Sequence, residues 1–181
     1  MRPSWRRALS VMILVGAGAG TAATALAAPG WDACAMITPA DLDAAFAPRR
    51  FDLGTPGTQQ VAGTSTLAAV STCIFVSRGA TAQEKLTVSL LARRAPSGAT
   101  GVTPAAARAG ALQLKASPAD VPGLGEGAYW VNLGSASFPV VELNLFRGKR
   151  EWLILGSSGK RLDVKATVEG LTKAARSLAG R

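Results

Sequence analysis

The chain has 181 residues, of which 48% are hydrophobic and 17% charged, and its 20 basic and 11 acidic side chains give a net charge of +9. It contains no histidine, which excludes Ser-His-Asp and Cys-His nucleophile systems, histidine-ligated zinc and the usual proton shuttle near neutral pH. The basic residues are scattered rather than gathered in an aromatic-studded stripe, so we expect no nucleic-acid binding.

Residues 1–27 have the features of a secretory signal peptide. Three arginines form a positive n-region, an uncharged stretch follows, and Ala25-Leu26-Ala27 fits an A-x-A cleavage site. We therefore predict a signal peptide at 1–27 and a single exported domain at 28–181, in the periplasm or secreted. An uncleaved membrane anchor is the alternative, and the choice between Sec and twin-arginine export stays open.

The leader holds three of the positive charges, so residues 28–181 carry a net +6. A moderately cationic exported protein suits anionic envelope polymers and lipid headgroups. A solvated charged surface is the simpler interpretation of the same composition.

The only two cysteines are Cys34 and Cys73. In an oxidising compartment such a pair predicts a disulfide, and closing a loop of about 40 residues would stabilise the fold by about 3–4 kcal/mol. A redox pair is the alternative, but redox cysteines are usually separated by only two residues. No small-residue lipobox precedes Cys34, so we expect no lipid anchor.

Local patterns predict a series of helices and strands. Thr-Pro pairs mark two helix starts, because threonine is a good N-cap and proline suits the first helical position. The predicted elements, in chain order, are a helix at Thr38–Phe46, a weak strand and mobile loop within 48–70, strands at Thr72–Arg78 and 84–93, a helix at Thr103–Lys115, strands at 128–133, 138–147 and 150–157, and a helix from Leu162 to Leu178.

This order predicts an α+β fold with an antiparallel sheet of about five to six strands flanked by three helices. Two Thr-Pro helices, each followed by antiparallel strands, suggest a weak duplication of an αβββ-type half. The strand "EWLILG" is apolar on both faces, so we expect it to be central and covered on both sides.

The glycine-rich stretch "VPGLGEGAYWV" has part of the spacing of a dinucleotide-binding loop. Such a loop must lead into a helix, whose N-terminus holds the pyrophosphate, but here a strand follows. Glu126 would also repel a phosphate. We therefore interpret the glycines as a turn that feeds a strand, and we expect no cofactor.

Two catalytic arrangements remain as alternatives. Ser157 and Lys160 have the spacing of a serine–lysine dyad, but the motifs that accompany such dyads are absent. Glu142 and Glu151 lie on neighbouring predicted strands, where ion pairs with nearby arginines are favoured over a glycosidase pair. With no metal-ligand set either, we expect a protein that is not an enzyme.

Two groups of residues are candidates for ligand binding. Arg147, Lys149 and Arg150 form a cationic hairpin tip that suits an anionic headgroup or a partner protein, although charged tips are ordinarily solvated turns. Three aromatic residues, Tyr129, Trp130 and Trp152, suit a pocket wall, although tryptophans in sheets are more often core.

Several motifs resemble those of bacterial secreted proteins and lipoproteins of unknown function, some with PsbP-like α/β folds. The matching segments are "CAMITPADLDAAF", "CIF" and "VPGLGEGAYW", in that order. The extracellular sensor domain of a mycobacterial serine/threonine kinase is broadly similar. The resemblance implies an intramolecular disulfide and an α-β sandwich, and it brings no active site with it.

Together these features predict a non-enzymatic exported binding or accessory protein of the cell envelope. Its expected partner is an envelope protein, a lipid or an anionic ligand, with peripheral membrane contact. The alternatives are a periplasmic carrier of a lipid or anionic small molecule, and an enzyme that uses carboxylates or the Ser157/Lys160 pair.

Overall fold

The structure is a computed structural model, and it describes residues 31–54, 59–62, 69–79, 81 and 84–179. The predicted leader, residues 1–27, lies outside these residues. Among the residues described, none forms a helix long and apolar enough to cross a membrane.

The described residues form four helices and eight strands. The helices are α1 (Ala33–Met36), α2 (Pro39–Ala45), α3 (Pro104–Gln113) and α4 (Val164–Ala179). The strands are β1 (Phe51–Leu53), β2 (Gln59–Ala62), β3 (Ala69–Ser77), β4 (Thr87–Arg94), β5 (Ala119–Asp120), β6 (Tyr129–Asn132), β7 (Val140–Arg147) and β8 (Glu151–Ser158).

The strands form one antiparallel sheet in the order β1-β3-β4-β8-β7-β6-β5. β2 also pairs with β3, at Ala69–Thr72, while β1 pairs at Phe75–Ser77, so two short strands share one edge. The α+β class and the antiparallel sheet are confirmed, and β8 is central as predicted. The predicted count of five to six strands is too low, because the weakly patterned 48–70 segment supplies two short strands and β5 adds a third.

Both helices predicted to begin at Thr-Pro pairs are confirmed. The Thr38 hydroxyl accepts the Asp41 backbone N–H at 3.3 Å, and the Asp41 carboxylate accepts the Thr38 N–H at 2.8 Å, which makes a capping box. Thr103 likewise accepts the N–H of Ala106 at 3.2 Å. The predicted three helices become four because a single turn, α1, precedes α2, with Asp32 as its N-cap.

One face of the sheet carries the main core, and α1, α2 and α4 pack against it. The Cys34–Cys73 disulfide is confirmed and joins α1 to β3 across this face. The buried sheet residues of this core face include Cys73, Phe75, Val88, Leu90, Leu143, Leu145, Leu153 and Leu155.

The opposite face carries α3. Ala107 and Ala111 of this helix pack with Tyr129 and Val131 in a second, smaller cluster. On both sides of the sheet the strands follow chain order inward to the β4–β8 pair, with three strands on one side and four on the other; the duplicated half stays a prediction. The helices do not share that arrangement, since α2 packs on the core face and α3 on the other.

Candidate functional site

A row of aromatic rings crosses the α3 face of the sheet between two arginines. The guanidinium carbon of Arg93 lies 4.9 Å from the Trp152 ring centroid, and Trp152 stacks on Phe146 with centroids 6.2 Å apart and planes 10° apart. Phe146 stacks in turn on Tyr129 at 6.3 Å, and the guanidinium of Arg108, on α3, lies 4.7 Å from the Tyr129 ring. We call these five residues the aromatic ladder.

Strand register explains why the ladder forms. Trp152 of β8 lies opposite Phe146 of β7 on one side and opposite Arg93 of β4 on the other. Directly paired residues point to the same face of a sheet and contact each other. Tyr129 on β6 lies opposite Asn144, two residues from Phe146 along β7, which is close enough for the two rings to meet.

A groove of about 390 Å³ lies between α3 and the ladder. The helix lines much of this space with small residues, namely Ala106, Ala107, Gly110 and Ala111, which leave it open. An added Cβ at Gly110 would meet no atom within 4 Å. The apolar walls of this α3 groove include Val102, Leu114, Tyr129, Val131, Leu133 and Trp152.

The rim of the α3 groove is unusually apolar for a surface. Val102 is 39% exposed, Leu133 38% and Leu114 71%, and all three line the groove. Single exposed apolar residues are ordinary, but a group of them around a concave opening is typical of a binding site.

Glu142 also lines the α3 groove. Burial raises its pKa above the ordinary value, and the nearby Arg93 opposes that shift. The pKa of the Tyr129 hydroxyl is raised as well, chiefly by burial, with Arg108 opposing and Glu142 adding to the shift. The groove therefore combines an apolar wall with one poorly solvated acid.

A smaller cleft of about 200 Å³ adjoins the groove, and Val102 and Trp152 line both. Its charged residues are Arg93 and Arg150, so we call it the arginine cleft. Backbone hydrogen bonds fix its walls: the Gly101 N–H donates to Lys149 O at 2.7 Å, and the Ala95 N–H to Arg150 O at 2.9 Å.

Two polar atoms of this face are buried without a hydrogen-bond partner among the described residues: Nδ2 of Asn144 and Nε of Arg93. Asn144 is 2% exposed, and its Oδ1 accepts the Trp152 indole N–H at 2.9 Å. Buried polar groups normally find a partner, and Arg93 lines the arginine cleft, so its unmatched donor points to a ligand or ordered water.

The structure brings two of the three predicted aromatic residues together and separates the third. Tyr129 and Trp152 lie on the α3 face and both line the groove. Trp130 follows Tyr129 on the same strand, points to the core face and packs against the main core. One pocket therefore cannot use all three.

The three predicted cations have different environments. Arg147 donates to Glu151 at 2.9 Å and to Leu178 O at 3.4 Å, near the C-terminus of α4. Arg150 lines the arginine cleft and donates through Nε and Nη2 to Ala95 O, at 3.1 and 2.7 Å. Lys149 is exposed at the hairpin tip.

The residues of the catalytic alternatives do not lie together. Ser157 is 2% exposed on the core face, opposite Val88 and Val141, whereas Lys160 is exposed in the turn that follows. Glu142 lies opposite Gly156, and Glu151 pairs with Arg147 and Arg94 rather than with a second acid. The described residues contain no group of three or more His, Cys, Asp or Glu placed to hold a metal ion.

The glycine-rich stretch forms a turn, as predicted. Gly123, Gly125 and Gly127 have φ values of 80°, 93° and 73°, in the left-handed region that favours glycine. A Cβ at Gly127 would lie 2.4 Å from Cβ of Pro104, the first residue of α3. The turn thus feeds β6 and also lets the start of α3 approach the sheet.

Sequence reasoning missed Arg93, Arg108, Phe146 and Asn144. Their roles depend on which strands pair and in which register. One signal was available, because adjacent residues of a strand face opposite ways, so Tyr129 and Trp130 could not share a wall.

No protein-family model matches the chain, and no curated protein matches it. A solved structure, the extracellular domain of the mycobacterial kinase PknH from Mycobacterium tuberculosis, is similar with a TM-score of 0.43 and 10% sequence identity, over 79% of this chain and 93% of that one. The resemblance to secreted proteins with PsbP-like folds stays a prediction. At this level of similarity, function has to be argued from the site itself.

Proposed function

We propose that the chain is an exported, non-enzymatic binding domain that holds an apolar ligand in the α3 groove. The observation that carries the proposal is the groove itself, about 390 Å³ in volume and walled by Tyr129, Val131 and Trp152 beneath a helix of small residues. Ligand sites are typically concave and largely apolar, with a few polar groups that orient the ligand.

Export is supported by two independent features. Residues 1–27 have the sequence pattern of a signal peptide. Cys34 and Cys73 form a disulfide, and such bonds persist mainly in oxidising compartments.

A binding role rather than catalysis is supported by the chemistry of the side chains. The chain has no histidine, and the Ser157 hydroxyl is buried in the core away from solvent. A nucleophile needs a base within hydrogen-bond reach and access to substrate. Covalent labelling of Ser157 by a serine-reactive probe would favour the enzymatic alternative instead.

The test uses a variant that fills the groove without damaging the helix. Gly110 lines the groove, has room for a side chain, and is a poor helix former, so Gly110→Leu should fill the space and keep α3 intact. Ala109→Leu is the matched control, because Ala109 is exposed on α3 outside the groove lining.

The measurement is binding of the neutral dye N-phenyl-1-naphthylamine, followed by its fluorescence. We expect wild type and Ala109→Leu to bind alike and Gly110→Leu to bind at least about tenfold more weakly, which is about 1.4 kcal/mol of lost contact. If Gly110→Leu and Ala109→Leu bound the dye equally well, the dye would bind outside the α3 groove. If the wild type did not bind the dye at all, the proposal would be contradicted.

A further inference from the structure

We propose that the ligand is a single-chain anionic amphiphile, with its tail in the α3 groove and its head in the arginine cleft. This inference rests on the proposed function, because it assigns a ligand class to the same groove. Three observations carry it. The two cavities share a wall, only one of them is lined by cations, and the arginines of that cavity have hydrogen-bond donors for which the described residues supply no acceptor.

The shared wall connects an apolar space to a charged one. Val102 and Trp152 line both the α3 groove and the arginine cleft. A molecule lying along Trp152 would therefore pass from apolar surroundings to Arg93 and Arg150. An amphiphile fits this order of environments, because its tail favours apolar surroundings and its charged head favours polar ones.

The cleft offers donors for an anionic head. Arg93 Nε is buried and has no hydrogen-bond partner among the described residues. The described hydrogen bonds of Arg150 run from Nε and Nη2 to Ala95 O, and they hold its guanidinium beside the cleft. Guanidinium groups pair well with carboxylates and phosphates, and they do so best when already held in place.

Charge also fixes the direction of the ligand. Glu142 lines the α3 groove but not the arginine cleft. An anionic head in the arginine cleft would be attracted by Arg93 and Arg150, whereas a cationic head there would be repelled by both. The arrangement selects an anionic head over a cationic one.

The occupant is a single molecule rather than a membrane surface, because α3 covers the sheet over the groove. Ala107 and Ala111 of that helix are buried against Tyr129 and Val131. A tail can lie in the concave α3 groove along Tyr129 and Val131, where the flat surface of a bilayer cannot follow.

The experiment compares three ligands with the same tail: decanoate, decanol and decyltrimethylammonium, all below their micelle concentrations. Binding is measured by displacement of N-phenyl-1-naphthylamine from wild type, Arg93→Gln, Arg150→Gln and Lys165→Gln. Lys165 is the control cation, since it is exposed on α4, which packs on the opposite face.

We expect the wild type to bind decanoate at least about tenfold more tightly than decanol, and decyltrimethylammonium more weakly than either. Arg93→Gln and Arg150→Gln should each lose most of the preference for decanoate while keeping the affinity for decanol, which also shows that the groove is still folded. Lys165→Gln should behave as wild type.

Equal affinity for decanoate and decanol, or a preference that survives both arginine substitutions, would overturn the anionic-head inference and leave the groove proposal standing. Failure of the wild type to bind any of the three ligands would overturn both. Sedimentation with phosphatidylglycerol vesicles without binding of soluble decanoate would identify a membrane surface as the occupant and also overturn the inference.

Discussion

The guanidinium carbon of Arg93 lies 4.9 Å from the centroid of the Trp152 ring, on the strand next to it. This contact brings a cation to the edge of an apolar groove, and Trp152 is a wall of both the groove and the cationic cleft. The indole N–H of Trp152 also donates a hydrogen bond to Asn144 Oδ1 at 2.9 Å, and this bond fixes the orientation of the ring.

The first prediction concerns that hydrogen bond. Trp152→Phe keeps an aromatic ring in the ladder but leaves the Asn144 side chain, 2% exposed, with no donor for Oδ1. We expect the free energy of unfolding to fall by about 1–2 kcal/mol, measured by urea denaturation.

The double variant Trp152→Phe/Asn144→Leu supplies the control. Replacing both partners by apolar groups removes the unmatched amide, so the double variant should be more stable than Trp152→Phe alone. If the loss in free energy of unfolding of the double variant equals the sum of the losses for the two single substitutions, the hydrogen bond does not fix the Trp152 ring.

The second prediction concerns the glycine turn. Gly123→Ala and Gly127→Ala both place a side chain at positive φ, which costs about 1–2 kcal/mol. At Gly127 the new methyl also meets Pro104, so we expect a total loss of about 2–4 kcal/mol in thermal or urea unfolding. Gly123 has open space around it and serves as the matched control. Equal losses at the two positions would show that α3 does not press on the turn.

The third prediction concerns pH. Burial raises the pKa of Glu142 in the folded protein, so folding favours its protonated form, and stability is gained as pH falls through that raised pKa. At pH values above this pKa the Glu142 carboxylate is ionised in a poorly solvated position, which costs stability, and Arg93 offsets part of that cost. Glu142→Gln should therefore be more stable than wild type at neutral pH, by a margin that shrinks as pH falls through the raised pKa of Glu142.

Urea unfolding at several pH values measures this margin, with the exposed Glu126→Gln as control. A margin that grows on acidification would have the opposite sign and would show that Glu142 is stabilised as a carboxylate.

The fourth prediction concerns the disulfide. Cys34 and Cys73 are separated by 39 positions, and losing the cross-link frees a loop of that length in the unfolded chain. Cys34→Ala/Cys73→Ala should lower the free energy of unfolding by about 3–4 kcal/mol. Reductant should lower the unfolding midpoint of the wild type and leave that of the double variant unchanged. Alkylation of both cysteines without prior reduction would show that the bond is absent from the purified protein.

Local chemistry made part of the fold predictable from sequence. Thr38 and Thr103 mark the starts of their helices, because each is a threonine N-cap followed by proline. The glycines at 123, 125 and 127 predict a turn because few other residues accept their φ values. In each case a few neighbouring residues carry the whole signal.

The site was less predictable because it is assembled from five separate elements, β4, α3, β6, β7 and β8. Arg93 and Trp152 are 59 positions apart in the sequence and meet only through the β4–β8 register. Nor does the sequence reveal that α3 packs on the face opposite α2, since both helices begin with the same Thr-Pro signal. Alternation alone separates Trp130 from Tyr129, but it does not say which of them faces the groove.

The measurement that tests the central claim most directly is a titration of nitrogen-labelled protein with decanol, followed through the tryptophan indole N–H signals by NMR. Trp152 lines the α3 groove, whereas Trp31 and Trp130 belong to the core face. The Trp152→Phe variant identifies the Trp152 signal. We predict that this signal shifts on addition of decanol while those of Trp31 and Trp130 stay in place. A shift of the Trp130 signal with Trp152 unmoved, or no shift at all, would contradict binding in the α3 groove.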